Sequence, residues 1–312
     1  MHTSRRDGPR GANATATRRN AMARTGRIKF PDRDALHHVT SRISGRRMLL
    51  AGEGVKKDML DALERAAEFS GVNVGAFAVM GNHFHVIVQV PFHEGKVPED
   101  EVLRRYGALM GGKALERLEA RLVSLRSGGG AEAAEAELDR LRARMHDLSQ
   151  FVKTFKEEFG RLFRRRAAHP GTLWEGRFRS TLVGEAEYLR RCAAYVEQNP
   201  VRAGLAKRAA DYAWNTVGAA RRGNAFALRC RRWLLSVLGV RSGDSPLVEA
   251  GLMRRIAQVS CGKLLGSAAF VAEMLRLFSG RVRSRSARAR EVEGIGFASH
   301  GWRLAAMLEE AA

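Results

Sequence analysis

Residues Ala35 to Ile43 mix β-branched and polar side chains in partial alternation, which predicts a strand. From Val55 to Ser70 the apolar positions Met59, Leu60, Leu63, Ala66, Ala67 and Phe69 recur at helical spacing and stop at Gly71, so an amphipathic helix is expected there. Val72 to Met80 and Phe84 to Val90 read as two strands around the turn signal Gly81-Asn82. Alternation in the second sends Phe84, Val86, Val88 and Val90 to one face and His83, His85, Ile87 and Gln89 to the other. One face is core, and the other is free for chemistry.

Pro91 to Gln150 reads as an insertion, charged and helical in pattern and broken at Gly111-Gly112 and Gly128-Gly129-Gly130, as a helical hairpin arm would be. A basic amphipathic helix over Phe151 to Phe163 runs into Arg164-Arg165-Arg166, an extended stretch covers Thr172 to Val183, and a second helix covers Glu185 to Gln198 with Pro200 restricting its end. Beyond Gly204 the pattern is helical and basic, with candidate helices at Arg229 to Leu238, Leu247 to Val259 and Ala268 to Phe278, then an Arg/Ser/Ala run from Arg281 to Arg290. The expected organisation is a flexible basic arm over 1–23, with Met22 as an alternative start, a main domain over 24–220 carrying the insertion at about 91–150, and a helical basic extension over 221–312.

Composition narrows the function. With 54 Lys and Arg against 33 Asp and Glu, the net charge is +21 and the pI about 11.1, which calls for a polyanionic partner. A hydrophobic content of 45% supplies a sizeable core and excludes disorder throughout. Cys192, Cys230 and Cys261 are scattered and never form a CxxC pair, against a disulfide framework or a zinc ribbon. No apolar run approaches the roughly 20 residues that span a bilayer, and no secretory apolar region opens the chain. A reducing, cytoplasmic and nucleoid-associated location is expected.

His83-Phe84-His85 places two imidazoles on one strand face, their Cβ atoms about 7 Å apart, as two ligands of one divalent ion could be. Tyr195 and Asn199 share a helix face with Tyr188 and Cys192. A tyrosine can attack phosphorus and an amide oxygen one turn on can complete a metal site. The same residues also fit a plain reading, with Tyr195 half-buried in a core and Asn199-Pro200 a turn. Phe155, Phe159, Phe163, Trp174 and Phe178 interleave with Lys156, Arg161, Arg164, Arg177 and Arg179, a mixture suited to phosphate binding with base stacking.

These residues carry a resemblance. Ala78-Val79-Met80-Gly81-Asn82-His83-Phe84-His85-Val86-Ile87-Val88 resembles the metal-binding HUH strand of single-tyrosine transposases, particularly the REP-associated tyrosine transposase group. Arg27 to Pro31 through His38-Val39-Thr40-Ser41-Arg42 resembles that family's opening strand, and Gly171-Thr172-Leu173-Trp174-Glu175-Gly176-Arg177-Phe178 its Gly-x-Leu-Trp-x-x-Arg-Phe segment. Tyr195 to Gly204 resembles the tyrosine helix with its Asn-Pro-Val-Arg-Ala-Gly end.

The resemblance implies an α+β, ferredoxin-like domain, an antiparallel sheet with helices on one face. It implies His83, His85 and Asn199 as ligands of Mg²⁺ or Mn²⁺, Tyr195 as the nucleophile on hairpin-containing single-stranded DNA, and nucleic-acid contacts from Arg42, Arg164, Arg165, Trp174, Arg177, Arg179 and Arg202. It also implies a 5′-phosphotyrosine intermediate. Whether Tyr195 serves its own metal site or that of a second subunit in a homodimer is left open. The long insertion, the segment beyond Trp214, and Glu197 and Gln198 depart from the family pattern. A non-catalytic binder of structured single-stranded nucleic acid is the competing reading.

Overall fold

The computed structural model describes residues 29–30, 32–167, 171–184, 186–240, 264–277, 290–291 and 298–300. The first half of the chain builds β1 (Ala35–Arg42), α1 (Glu53–Ser70), β2 (Asn73–Val79) and β3 (His83–Val90), then α2 (Glu99–Met110), α3 (Gly112–Ser127), α4 (Ala131–Arg142) and α5 (Leu148–Arg166). After these come β4 (Arg179–Val183), α6 (Ala186–Arg202), α7 (Thr216–Arg221), α8 (Ala225–Val237), β5 (Leu264–Gly266), α9 (Ala268–Leu277), β6 (Arg290–Glu291) and β7 (Ala298–His300). The fold is α+β.

One sheet runs in the order β2-β3-β1-β4-β5-β7-β6, with the first four strands antiparallel and β5 parallel to β4. Gly71, at φ 62°, ends α1 in the left-handed conformation that a side chain would resist, and its N–H reaches back to the last turn. The turn between β2 and β3 is tight, with Met80 N–H donating to the His83 carbonyl at 2.8 Å.

The alternation along β3 sorts its side chains as their polarity dictates. Phe84, Val86 and Val88 join a core with Met59 and Leu63 of α1 and Phe155 and Phe159 of α5. Ile87 joins a second core with Ala76 and Ala78 of β2, Leu189, Cys192 and Val196 of α6, and Leu234 and Leu238 at the end of α8. The expectation of helices on one face is therefore corrected: the second face is itself apolar along Ala76, Ala78 and Ile87, so it must be covered, and α6 covers it.

The helical extension expected from 221 opens with α8, which packs on the main domain. Phe226, Ala227 and Cys230 of α8 are buried in the first core while Leu234 lies in the second, so α8 closes the domain instead of leaving it. Residues 91–150 carry α2 to α4 and the first turn of α5, with a small core in which Leu109, Leu122 and Leu138 pack with Phe69 of α1. The arm over 1–23, the candidate helix at 247–259 and most of the 281–290 run lie outside the described residues.

Both margins of the central four strands are covered, as exposed edges must be to avoid pairing with other chains. On β2 the 212–216 segment does this: Val79 N–H donates to the Trp214 carbonyl at 2.9 Å, and Tyr212 Oη donates to the Val79 carbonyl at 2.7 Å. On β4 the partner is β5.

Candidate nucleic-acid cleavage site

Residues paired directly across an antiparallel ladder share a face, and so do alternate residues along a strand. Thr40 stands opposite His85 and Arg42 opposite His83, so His38, Thr40 and Arg42 of β1 line up with the two histidines of β3, on the side away from Phe84. Thr40 also pairs with Arg179 of β4, which puts a second arginine on that face. Burial on this face is uneven: His38 and His85 are buried, His83 is half-buried, and Arg42 and Arg179 are exposed.

α6 lies against the same face and brings Tyr195 to the imidazoles. The phenol ring stands edge-on to His38, with centroids 5.9 Å apart, and to His85 at 5.7 Å. Arg202, seven residues along the helix, sets its guanidinium carbon 5.2 Å from the centre of the Tyr195 ring, within cation–π range. His38 and His85 are nearly parallel, with Nε2 of His38 3.0 Å from Nδ1 of His85. His83 stands edge-on to His85 at 5.1 Å.

All three imidazoles are held in the neutral form. Burial pushes His38 down to about 4, and burial together with the nearby Arg42 does the same for His83. His85 is held well below the ordinary histidine range by burial, then by His38, His83, Arg42 and Arg202. A neutral imidazole offers a lone pair, as a metal ligand must.

Asn199 extends one turn past Tyr195. α6 continues through Pro200 to Arg202, so the expected end at Gln198 is corrected, and the physical reason is local. Pro200 has no N–H to give the Val196 carbonyl. The Asn199 side-chain amide donates to it instead at 3.4 Å, and to the Tyr195 carbonyl at 2.8 Å. Because the amide nitrogen is spent on the helix, the oxygen Oδ1 is the atom left to act as a ligand.

The chain is similar to a solved REP-associated tyrosine transposase bound to a REP hairpin. The two share 15% identity at a TM-score of 0.40, over 64% of this chain and 87% of that one. No protein-family model and no curated protein matches the chain. So distant a likeness assigns no family.

Whether the site fits a divalent cation is a question of donor chemistry. Among the described residues, no group of three or more His, Cys, Asp or Glu side chains is set to hold a metal ion. Two imidazoles stand together on the face, and the Asn199 amide lies one turn along α6 from the Tyr195 ring that meets His85. Asn82 donates through Nδ2 to the Arg46 carbonyl at 2.9 Å, which fixes its Oδ1 as an acceptor, and that oxygen lies 2.7 Å from Nδ1 of His83. His83 must therefore carry its hydrogen on Nδ1, leaving a lone pair on Nε2. Both histidines of β3 thus engage Nδ1 elsewhere, as imidazoles that bind a metal through Nε2 do. The two imidazoles can offer a cation a nitrogen lone pair each, and Arg42 and Arg202 add positive charge that an anionic phosphate would offset.

The other expected nucleic-acid residues divide between two faces. Arg42 and Arg179 share the histidine face, Arg202 meets the Tyr195 ring there, and Arg177 is exposed in the segment entering β4. Trp174 lies on the opposite side of the sheet, edge-on to Phe84 at 5.6 Å and tilted against Phe159 at 5.8 Å, with the Lys156 ammonium 4.8 Å from its ring centre. It is a packing residue there. Arg164 and Arg165 are exposed at the end of α5, also away from the histidine face. Sequence reading missed the place of His38. The only available signal was its position two residues before Thr40 on a strand, and that is mute without the register.

Proposed function

We propose that the protein is a metal-dependent, tyrosine-based nuclease and strand-joining enzyme acting on hairpin-containing single-stranded DNA. What carries this reading is the convergence of Tyr195, two neutral imidazoles with Nδ1 engaged, and Arg202 on one sheet face. The connectivity β1-α1-β2-β3-α5-β4, with α2 to α4 inserted and the order β2-β3-β1-β4, fits the ferredoxin-like arrangement that the sequence resemblance implies. A chain carrying +21 suits a phosphodiester substrate.

In this reading His83, His85 and Asn199 would hold Mg²⁺ or Mn²⁺, which would supply Lewis acidity toward the scissile phosphate. Tyr195 Oη attacks phosphorus, the P–Oη bond forms as the P–O3′ bond breaks, and the departing 3′ oxygen takes up a proton while the phenol gives one up. The product is a 5′-phosphotyrosine and a free 3′-hydroxyl. No water is consumed, so the same steps reversed rejoin strands. Arg202 sets positive charge against the Tyr195 ring, where it stabilises negative charge on the phenol oxygen before attack, and Arg42 and Arg179 offer charge-assisted bonds to flanking phosphates.

The test is incubation with labelled single-stranded oligonucleotides carrying hairpins, with Mn²⁺, followed by denaturing electrophoresis. A protein-linked band is expected, absent with Tyr195→Phe and largely lost with His83→Ala or His85→Ala, while Tyr195→Phe keeps its DNA affinity. DNA binding without any adduct, in wild type as in Tyr195→Phe, would favour the non-catalytic binder.

A further inference from the structure

His83 and His85 differ in what settles their protonation pattern. The partner of His83 is an amide oxygen that can only accept, so its tautomer is fixed by chemistry. The partner of His85 is another imidazole nitrogen, and only one hydrogen can lie between the two nitrogens 3.0 Å apart. That hydrogen can sit on His85 Nδ1, leaving a lone pair on His85 Nε2, or on His38 Nε2, which forces the neutral His85 to carry its own on Nε2 and closes that atom to a metal.

We infer that His38 is a positioning residue for the cation site, accepting the Nδ1 hydrogen of His85 through its own Nε2 and so holding the lone pair of His85 Nε2 ready. The inference rests on the proposed function for its purpose, though not for its geometry. Three observations support it. Both rings are buried, so water does not compete for the shared hydrogen. The rings are nearly parallel, at 12°, with the two nitrogens in direct hydrogen-bond contact. His38 also stands edge-on to Tyr195, so a side chain of different shape would disturb the imidazole and the phenol together. A buried acceptor behind a metal-binding imidazole typically sustains a 10- to 100-fold effect on metal affinity.

The experiment uses the full chain labelled with ¹⁵N at histidine. In the metal-free wild type, long-range ¹H–¹⁵N correlation should show His85 with Nδ1 protonated and Nε2 bare. His38→Gln, which keeps an acceptor at nearly the same reach, should preserve that pattern and bind Mn²⁺, followed by its electron paramagnetic resonance, within a few-fold of wild type. His38→Leu should move the hydrogen of His85 to Nε2 and weaken Mn²⁺ binding by about 10- to 100-fold. A wild-type His85 protonated on Nε2, or a His38→Leu protein with unchanged tautomer and Mn²⁺ affinity, overturns the inference. Should the leucine variant fail to fold, the wild-type spectrum and the glutamine variant still decide it. Failure of wild type to bind Mn²⁺ would count against the proposed function, and the metal-free tautomer separates that outcome from failure of the His38 assignment.

Discussion

Two residues beyond Tyr195, Glu197 is buried with neither carboxyl oxygen hydrogen-bonded among the described residues. Burial pushes its carboxyl up from 4.5 to about 8, against a smaller opposing effect of Arg231. Between those values the unfolded chain has released the proton that the folded chain retains, so this group makes stability fall as pH rises from about 4.5 to about 8. Glu197→Gln removes that decline. Its melting temperature should exceed that of wild type by more at pH 8 than at pH 5, and equal differences at the two pH values would contradict the assignment. Glu197 was visible in the sequence only as a departure from the family pattern. Its burial depends on the 212–216 segment folding back, where Asn215 donates to the Glu197 carbonyl at 3.0 Å and to the Ala209 carbonyl at 2.9 Å while its Oδ1 caps α7.

Among the elements, α8 joins the two cores around the β2 side of the sheet. Gly75 leaves a bulge in β2 against which Trp233 packs, and a Cβ at Gly75 would lie 2.7 Å from its ring. Phe226 stacks on Phe77 at 5.8 Å, both buried. Truncating such an aromatic side chain typically costs about 3–5 kcal/mol. Phe226→Ala should therefore lower stability by that order in denaturant unfolding. A loss under about 1 kcal/mol, the size of a surface change, would mean α8 is an appendage. The periodic pattern disclosed that a helix lies near 229–238, yet its packing partner could not be read, because amphipathicity names a buried face without naming what buries it. Similar limits explain the other differences. Alternation in β3 gave the histidine face, and helical spacing joined Tyr195 to Asn199. The pairing of His38 with His85 needs the β1/β3 register, and the side of the sheet that Trp174 takes depends on its bridge to Ile43. Pro200 stayed within α6 because the side chain before it replaced the missing donor.

For the whole molecule, charge is distributed by role. Within the insertion, residues 99–145 hold nine acidic and nine basic side chains, and many of them pair there, as Arg142 does with Glu135 and Asp139, and Arg126 with Glu99. The excess that makes +21 lies elsewhere. DNA affinity should fall steeply with salt, and Arg42→Ala, Arg179→Ala and Arg202→Ala should each reduce the logarithmic salt slope by about 1 while weakening binding. Reversing charge at exposed insertion residues, Lys113→Glu with Arg117→Glu, should leave the slope unchanged, and an equal loss there would place the DNA path across the insertion. No helix among the described residues is long and apolar enough to cross a membrane.

Covalent joining of Tyr195 to DNA is read out by tandem mass spectrometry of the protease- and nuclease-digested adduct formed with Mn²⁺ and a hairpin oligonucleotide. A nucleotide attached through its 5′ phosphate to the peptide bearing Tyr195 is expected. Attachment at any other residue, through a 3′ phosphate, or undiminished adduct in Tyr195→Phe would overturn the proposed reaction.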